Sequence, residues 1–133
     1  MKTLVVTIIF LFIVSFIIGC SEDAKKDKGI GPIKELTLGE IDKKLASEGQ
    51  ELFQKKCTTC HALDQKRIGS ALRGITNRRT PEWIMNMMLN PDGMIKENKA
   101  AKELFEEMKV RMNPQDVNET DARKILEYLR TEN

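Results

Sequence analysis

The stretch Cys57-Thr58-Thr59-Cys60-His61 decides how this chain is interpreted. It has the spacing C-x-x-C-H, in which two thiols lie three positions apart and a histidine follows the second one. Each thiol can add across one vinyl group of a porphyrin, and the adjacent imidazole is then held beside the iron. His61 is also the only histidine among the 133 residues. The stretch therefore predicts one covalently attached haem c, bound through Cys57 and Cys60, with His61 as an axial ligand of the iron.

Two other uses of these residues fit the chain less well. A redox-active C-x-x-C pair is expected to follow a strand in a βαβ unit, whereas a helical pattern precedes Cys57 and no alternating strand pattern occurs in the chain. A structural zinc site needs four protein ligands. Only Cys57, Cys60 and His61 are close in sequence, and no second pair of cysteines exists.

Residues 1–19 have the features of an export signal. Lys2 supplies a positive charge, and the stretch from Leu4 to Ile18 is apolar apart from two hydroxyl residues, which matches a signal-peptide core and is short for a membrane span. It ends in Ile17-Ile18-Gly19-Cys20, which is similar to a bacterial lipoprotein cleavage site. We therefore predict a lipoprotein signal peptide and lipidation of Cys20, with an uncleaved N-terminal anchor helix as the alternative. Both place the domain on a membrane, at its periplasmic or extracytoplasmic face.

The cysteine count agrees with this interpretation. Cys20 would carry lipid while Cys57 and Cys60 carry haem, so no thiol is left over for a disulfide. An unassigned odd cysteine would otherwise be a warning sign in an exported protein. Export also fits the cofactor, because c-type haem is joined to its protein outside the bacterial cytoplasm.

Residues 20–44 are predicted to form a lipidated, flexible tether. Ser21 to Lys28 is polar and densely charged, and Gly29-Ile30-Gly31-Pro32 does not suit a regular element. Such a composition buries too little apolar surface to offset chain entropy. The exceptions are four apolar residues that we expect could contact the domain: Ile33, Leu36, Leu38 and Ile41.

Residues 45–133 are predicted to form an all-α domain of about four helices. Ser47 and Gln50 are typical of a capping box at the start of the first helix, which then runs into the haem motif. Thr80-Pro81-Glu82 indicates the start of the second helix, with an N-cap followed by proline at the first helical position, and Asn90-Pro91 its end.

The last two helices follow from apolar periodicity. One is expected over residues 100–109, and the other starts near Asn118 or Thr120, because apolar residues then recur at helical spacing: Ala122, Ile125, Leu126 and Leu129. A domain of this size is marginal for a self-sufficient core. A buried porphyrin would supply the missing apolar mass.

A methionine is expected as the second axial ligand. A single histidine excludes bis-histidine ligation, and thioether sulfur stabilises reduced iron. Met112 is the first candidate because Val110-Arg111-Met112-Asn113-Pro114 lies between two predicted helices, and an irregular loop can reach a porphyrin face that helices leave open. Met108, on the inward face of a predicted helix, is the second candidate, and Met94, in a predicted glycine-containing loop, is the third. The methionines of the second helix are expected in the core.

The domain resembles the small class I monohaem cytochromes c of the membrane-anchored bacterial lipoprotein type, over nearly all of residues 45–133. The resemblance rests on these residues: Gly49, Phe53, Cys57 to His61, Gly69-Ser70-Ala71-Leu72, Trp83, Met112, Ile125 and Tyr128. It implies a class I cytochrome c fold, with the helices wrapped around the haem. It also implies that the first and last helices cross where Gly49 lets Tyr128 and Ile125 approach, and that Trp83 binds near the haem propionates.

Two positions depart from the family's pattern. Gly69-Ser70 stands where Gly-Pro is usual, and the backbone carbonyl there normally accepts the Nδ1 proton of the axial histidine. Any residue supplies such a carbonyl, although the rigidity of proline is lost. Asn113 separates Met112 from Pro114, where Met-Pro is usual.

These features predict a single-electron carrier rather than an enzyme. It would pass electrons between respiratory partners such as a terminal reductase or oxidase, and the resemblance extends to lipoprotein cytochromes associated with nitrous-oxide respiration. A nearly balanced charge argues against a nucleic-acid-binding role. A basic segment could form a docking surface or be merely solvated: Lys66, Arg67, Arg73, Arg78 and Arg79. The alternatives are a haem-based gas sensor or peroxidase-like protein with a labile sixth ligand, and a thiol oxidoreductase.

Overall fold

The structure is a computed structural model that describes Ala24 and residues 26–133, and all regular structure in that part of the chain is helical. Six helices follow one another there: α1 (Lys43–Lys56), α2 (Ile75–Arg78), α3 (Pro81–Leu89), α4 (Pro91–Glu97), α5 (Lys99–Met108) and α6 (Glu119–Thr131). The predicted signal peptide and Cys20 lie outside the described residues. Within these residues, no helix has the length and apolarity needed to cross a bilayer.

Helices α1 and α6 pack closely against each other and form the frame of the domain. Gly49 makes the approach possible, because a Cβ atom there would lie 1.9 Å from the carbonyl oxygen of Lys124. One helical turn further on, the rings of Phe53 and Tyr128 pack with centroids 5.3 Å apart and a tilt of 54°. The expected crossing of the first and last helices is therefore present, with Gly49 against the backbone of Lys124 and Ile125.

Helix α1 begins earlier than the capping-box prediction. Asp42 is the N-cap, and its side chain accepts hydrogen bonds from the backbone N–H groups of Lys44 and Leu45. Ser47 and Gln50 instead lie within the helix and are exposed. The capping-box interpretation was wrong, because an aspartate five residues upstream satisfies the free N–H groups of the first turn.

The predicted start of α3 is confirmed, and its end accounts for one of the two helices found beyond the four expected, the other being the short helix α2. Thr80 accepts a hydrogen bond from Trp83 N–H, and Pro81 is the first helical residue. Asn90 ends α3, but its side chain also accepts from Gly93 N–H and so caps α4, which begins at Pro91. The Asn-Pro pair therefore marks a junction between two helices.

The segment of residues 27–38, called here the strap, packs on the domain, which differs from the predicted flexible tether. Asn86, fully buried on α3, accepts from Ile33 N–H and donates to the carbonyl oxygens of Lys28 and Ile33. Asn90 donates to the carbonyl oxygen of Ile30. Four apolar residues of the strap are partly buried and pack against the core, namely Ile30, Ile33, Leu36 and Leu38, whereas Ile41 is exposed. Polar side chains of the domain thus satisfy a backbone that forms no regular element.

Met94 is placed differently from its prediction. It lies in α4 rather than in a loop, is completely buried, and its sulfur accepts a hydrogen bond from Ile30 N–H of the strap. Gly29, with φ of 72°, passes close to the same sulfur. The buried sulfur of Met94 therefore anchors the strap.

Candidate haem-binding site

A cavity of about 590 Å³ lies inside the helical frame. Cys57, Cys60 and His61 line it, as do Trp83 and Met112. Most of its remaining lining is apolar and comes from all parts of the domain: Phe53, Ile68, Ala71, Leu72, Ile75, Ile84, Met87, Met88, Ile95, Leu104, Phe105, Met108, Val110, Ile125 and Leu129. Three of the five residues proposed from sequence as cofactor contacts share one motif, whereas Trp83 and Met112 are distant from it in sequence, yet the fold brings all five to one cavity.

The haem motif is folded by backbone hydrogen bonds at the end of α1. Cys57 is the C-cap of that helix, and its carbonyl oxygen accepts from the N–H groups of Cys60 at 3.1 Å and His61 at 2.8 Å. The Cys60 carbonyl oxygen in turn accepts from Gly69 N–H at 2.8 Å. These bonds fold the motif into a turn and connect it to the segment that supports His61.

The imidazole of His61 is fixed by two neighbours. Its Nδ1 lies 2.9 Å from the Ser70 carbonyl oxygen, and a carbonyl can only accept, so Nδ1 carries the proton. The lone pair is then on Nε2, which is the atom an axial ligand needs. Gly69 packs on the ring, because a Cβ there would be 2.3 Å from His61 Cε1. Ser70, standing where proline is usual, therefore supplies the expected carbonyl.

The two thiols are unsuited to dithiol redox chemistry. Cys57 and Cys60 are free and only partly exposed. Burial raises the pKa of the Cys57 thiol to about 11, an effect that the nearby Lys56 charge only partly offsets. Redox-active C-x-x-C pairs need a thiol whose pKa is lowered. The thiol oxidoreductase alternative is therefore disfavoured.

Met112 is one of two inward-facing residues of the loop between α5 and α6, the other being Val117. It is partly buried and packs against the core, whereas every other residue from Lys109 to Asp116 is exposed. Met108 also lines the cavity, from the last residue of α5. Met94 does not line it, which removes the third candidate for the sixth ligand.

Trp83 lies in the cavity wall and is connected to the strap. Its Nε1–H donates to Asn98 Oδ1 at 3.1 Å, and Asn98 Nδ2 donates to both carboxylate oxygens of Asp27. On its other side the Arg79 guanidinium lies 5.1 Å from the ring centroid, within the range of a cation–π contact. Arg79 also lines the cavity.

Sequence reasoning missed Asn98 and Lys56. Asn98 is the N-cap of α5, so an asparagine directly before the helical pattern was an available signal. Lys56 lines the cavity and donates to the carbonyl oxygens of Gln115 and Asp116. No local pattern indicates that contact, because its partners are about 60 positions away.

The donors and lining fit a covalently bound haem. Two sulfurs, one oriented imidazole and a thioether share one largely apolar cavity. Its charged lining residues are all basic within the described part of the chain: Lys56, Arg78, Arg79 and Arg111. Basic groups suit the carboxylates that a porphyrin carries. In the same part of the chain, no group of three or more His, Cys, Asp or Glu residues could hold a metal ion by itself.

Comparison with known proteins agrees with this chemistry. The family model described as cytochrome c matches residues 46–133. No curated protein matches the chain significantly. Among solved structures, the chain is similar to cytochrome c from Rhodothermus marinus, with 50% identity, a TM-score of 0.74, and coverage of 76% of this chain and 88% of that one.

Two engineered forms of the Rhodothermus marinus protein are similar to the same extent. One has 49% identity and a TM-score of 0.74, over 76% of this chain and 89% of the other. The second, bound to the carbene intermediate 1-ethoxy-1-oxopropan-2-ylidene, has 50% identity and a TM-score of 0.71, over 76% and 88%. The chain therefore belongs to the cytochrome c family, has a class I cytochrome c fold, and carries one haem c attached covalently through Cys57 and Cys60.

Proposed function

We propose that this protein is a single-electron carrier in which His61 and Met112 are the two axial ligands of the haem iron. The observation that supports this most is that an imidazole with its Nε2 free and an inward-facing loop methionine share the cavity that the two cysteines line. Membership of the cytochrome c family supports electron transfer in general, since such proteins are typically carriers rather than enzymes. The bound haem supplies an iron that cycles between Fe(III) and Fe(II).

The residues of this chain orient the axial ligands, exclude water from the cavity and keep the same ligands in both redox states. Ser70 holds the proton of His61 Nδ1, so the same tautomer is kept in both redox states. Apolar side chains exclude water from the cavity, which keeps reorganisation small. A thioether ligand favours reduced iron relative to a second histidine. Met112 would therefore raise the reduction potential.

The cavity opening has features that suit docking of redox partners. Two exposed apolar side chains, Ile68 and Val110, line the cavity from different loops. Basic side chains around it would attract acidic partners and speed encounter. Arg73, one of the five basic residues of the predicted docking segment, is paired with Asp64 and Glu132. Lys66, Arg67 and Arg78 remain exposed.

We further propose that the carrier is anchored to a membrane through lipid on Cys20, at the periplasmic or extracytoplasmic face. The support is the sequence of residues 1–20, which lie outside the described structure. The partners would be respiratory donors and a terminal reductase or oxidase, including those of nitrous-oxide respiration. Membrane fractionation of cells expressing wild type and Cys20→Ala checks the anchor. Recovery of both forms in the same fraction would contradict it.

The axial ligands are tested by redox-titrated absorption spectra of wild type, Met112→Ala and Met108→Ala. We expect wild type and Met108→Ala to show the far-red sulfur-to-iron charge-transfer band in the oxidised state. Met112→Ala should lose the band, become high-spin and have a lower reduction potential. Loss of the band in Met108→Ala alone would assign the ligand to Met108. A high-spin wild type would favour a gas-sensing protein with a labile sixth position.

A further inference from the structure

The loop that carries Met112 lacks backbone support of its own. Among the described residues, no backbone–backbone hydrogen bond involves residues 110–117. Lys109 and Asp116, near its two ends, have φ values of 57° and 50°, a left-handed conformation that costs energy for residues other than glycine. Contacts from outside the loop must therefore keep it in place.

Lys56 provides one such contact. Its Nζ donates to the carbonyl oxygens of Gln115 and Asp116, both at 3.0 Å. Lys56 is the last residue of α1 and precedes Cys57, so it joins the helix that leads into the haem motif directly to the loop. Hydrogen bonds from a charged donor are stronger than neutral ones, and this side chain also lines the cavity.

Arg111 provides a second contact of a different kind. Its Nε lies 2.7 Å from Asp92 Oδ1, and its Nη2 donates to Asp92 Oδ2 at 2.8 Å. Both side chains are more than half exposed, at 55% and 57%. Solvent screens such a pair, and exposed ion pairs contribute little to stability. Two side-chain contacts thus join the loop to the rest of the domain, beside the packing of Met112 and Val117 on the core, and the contact from Lys56 is the one that comes from the helix leading into the haem motif.

We propose that Lys56 is a positioning residue for the sixth ligand: its two hydrogen bonds hold the loop against the cavity and keep Met112 on the iron. This inference rests on the ligation proposed above. Removing the donors increases the fraction of molecules in which Met112 is detached. An external ligand then binds more tightly, because the apparent affinity scales with the fraction of the competent state.

The probe is imidazole, titrated into the oxidised holoprotein and followed by loss of the far-red band. Lys56→Leu keeps an apolar stem but removes the donors, and we expect its apparent dissociation constant for imidazole to fall about five- to tenfold. Lys56→Arg retains donors and should return most of the wild-type value. Lys55→Leu is the matched control, because Lys55 is the exposed neighbour. Asp92→Asn should have a smaller effect that disappears at high salt.

Limited trypsin cleavage after Arg111 gives a readout that does not require Met112 on the iron. Cleavage there requires the loop to open locally, so Lys56→Leu should accelerate it in both the wild-type and the Met112→Ala backgrounds. If Met112→Ala keeps the far-red band, the proposed ligation fails, and the cleavage rates alone decide whether Lys56 holds the loop. Equal imidazole affinity and equal cleavage rates in Lys56→Leu and Lys55→Leu would overturn the inference.

Discussion

The histidine segment (residues 57–73) and the methionine segment (residues 109–118) line the same cavity but are held in different ways. The histidine segment is held by its own backbone: Gly69 N–H bonds to Cys60, Leu72 N–H to Ala62 and Arg73 N–H to Leu63. The methionine segment depends on side chains reaching it from α1 and α4. Backbone bonds within a segment survive most substitutions, whereas side-chain contacts are lost with one. We therefore expect ligation by His61 to be robust and ligation by the methionine to be adjustable.

Gly69→Ala should have the largest effect, because it places a methyl group in the histidine segment where the His61 ring lies. The new Cβ would lie 2.3 Å from His61 Cε1 and 2.7 Å from Nδ1, so the ring must turn and lose its bond to Ser70. We expect the free energy of unfolding to fall by about 3 kcal/mol, with a reduced yield of haem-stained protein after denaturing electrophoresis.

Gly39→Ala is the control for that variant, because a Cβ there meets nothing within 4 Å. It should leave stability and haem yield unchanged. A normal yield and stability for Gly69→Ala would show that the imidazole has freedom that the structure does not indicate.

Asn98→Ala should come next, because it weakens the support of α5, the helix that leads into the methionine segment. It removes the N-cap of α5 and leaves the buried Trp83 Nε1–H without its acceptor. Together these changes should lower the free energy of unfolding by about 2 kcal/mol, measured by denaturant titration.

Asn98→Asp separates the two acceptor roles of Asn98 from the donor role of its amide toward Asp27. It keeps an acceptor for Trp83 and a good cap, but it places a second carboxylate beside Asp27. It should therefore be more stable than Asn98→Ala at high salt, where the repulsion between the two carboxylates is screened. The reverse order at high salt would mean that the cap and the indole bond contribute little.

Glu127 gives a reference for the effects on the two segments, because it stabilises the frame of α1 and α6 and contacts neither segment. Burial of this carboxyl opposes its ionisation, but hydrogen bonds from Arg123, the Asp42 N–H and Arg130 outweigh burial and lower its pKa. A carboxyl with a lowered folded-state pKa stabilises the protein above its unfolded pKa of about 4.3. That stability is lost as the pH falls through the lower, folded-state value.

The measurement is the free energy of unfolding of wild type and Glu127→Gln between neutral and acidic pH. The difference between the two proteins should be largest at neutral pH and should shrink as the pH falls below about 4.3. While the proteins are folded, the far-red band should be the same in both. A difference that does not depend on pH would assign the contribution of Glu127 to packing alone.

Asp64→Asn should have the smallest effect, and it sharpens the contrast with Lys56. Asp64 pairs with Arg73 across the histidine segment, and that hydrogen bond lowers the pKa of the Asp64 carboxyl. Both side chains are exposed, and backbone bonds already hold the segment. We expect no change in imidazole affinity and only a slight decrease in melting temperature at low salt. A change in imidazole affinity as large as that of Lys56→Leu would remove the distinction between the segments.

The sequence predicted features whose cause is local and missed those whose cause is distant. The haem motif, the Thr80-Pro81 helix start and the partly buried loop position of Met112 each depend on a few consecutive residues. The contact of Lys56 with Gln115 and Asp116 joins positions about 60 apart, and nothing in either local sequence announces it. The same distinction applies to Asn90, whose double use at a helix junction was visible only in the structure.

The strap shows why composition alone was misleading for residues 27–38. Its own residues bury little, so its polar character indicated a flexible linker. Its order comes from the domain, where Asn86 and Asn90 occupy the backbone groups that a helix or strand would otherwise satisfy. A single sequence does not reveal that these asparagines face a segment more than 50 positions upstream.

The docked strap has a consequence for how far this carrier could travel. A tether from Cys20 to Leu45 would span about 85 Å when fully extended. The chain is already bound to the domain at Asp27, so the length from Cys20 to that point is at most about 25 Å. With lipid on Cys20, the haem domain would stay close to the bilayer surface, whereas a flexible tether would let it move through a larger volume above the bilayer. Its encounters would then be largely two-dimensional, with partners whose electron-exchange sites lie close to the same bilayer.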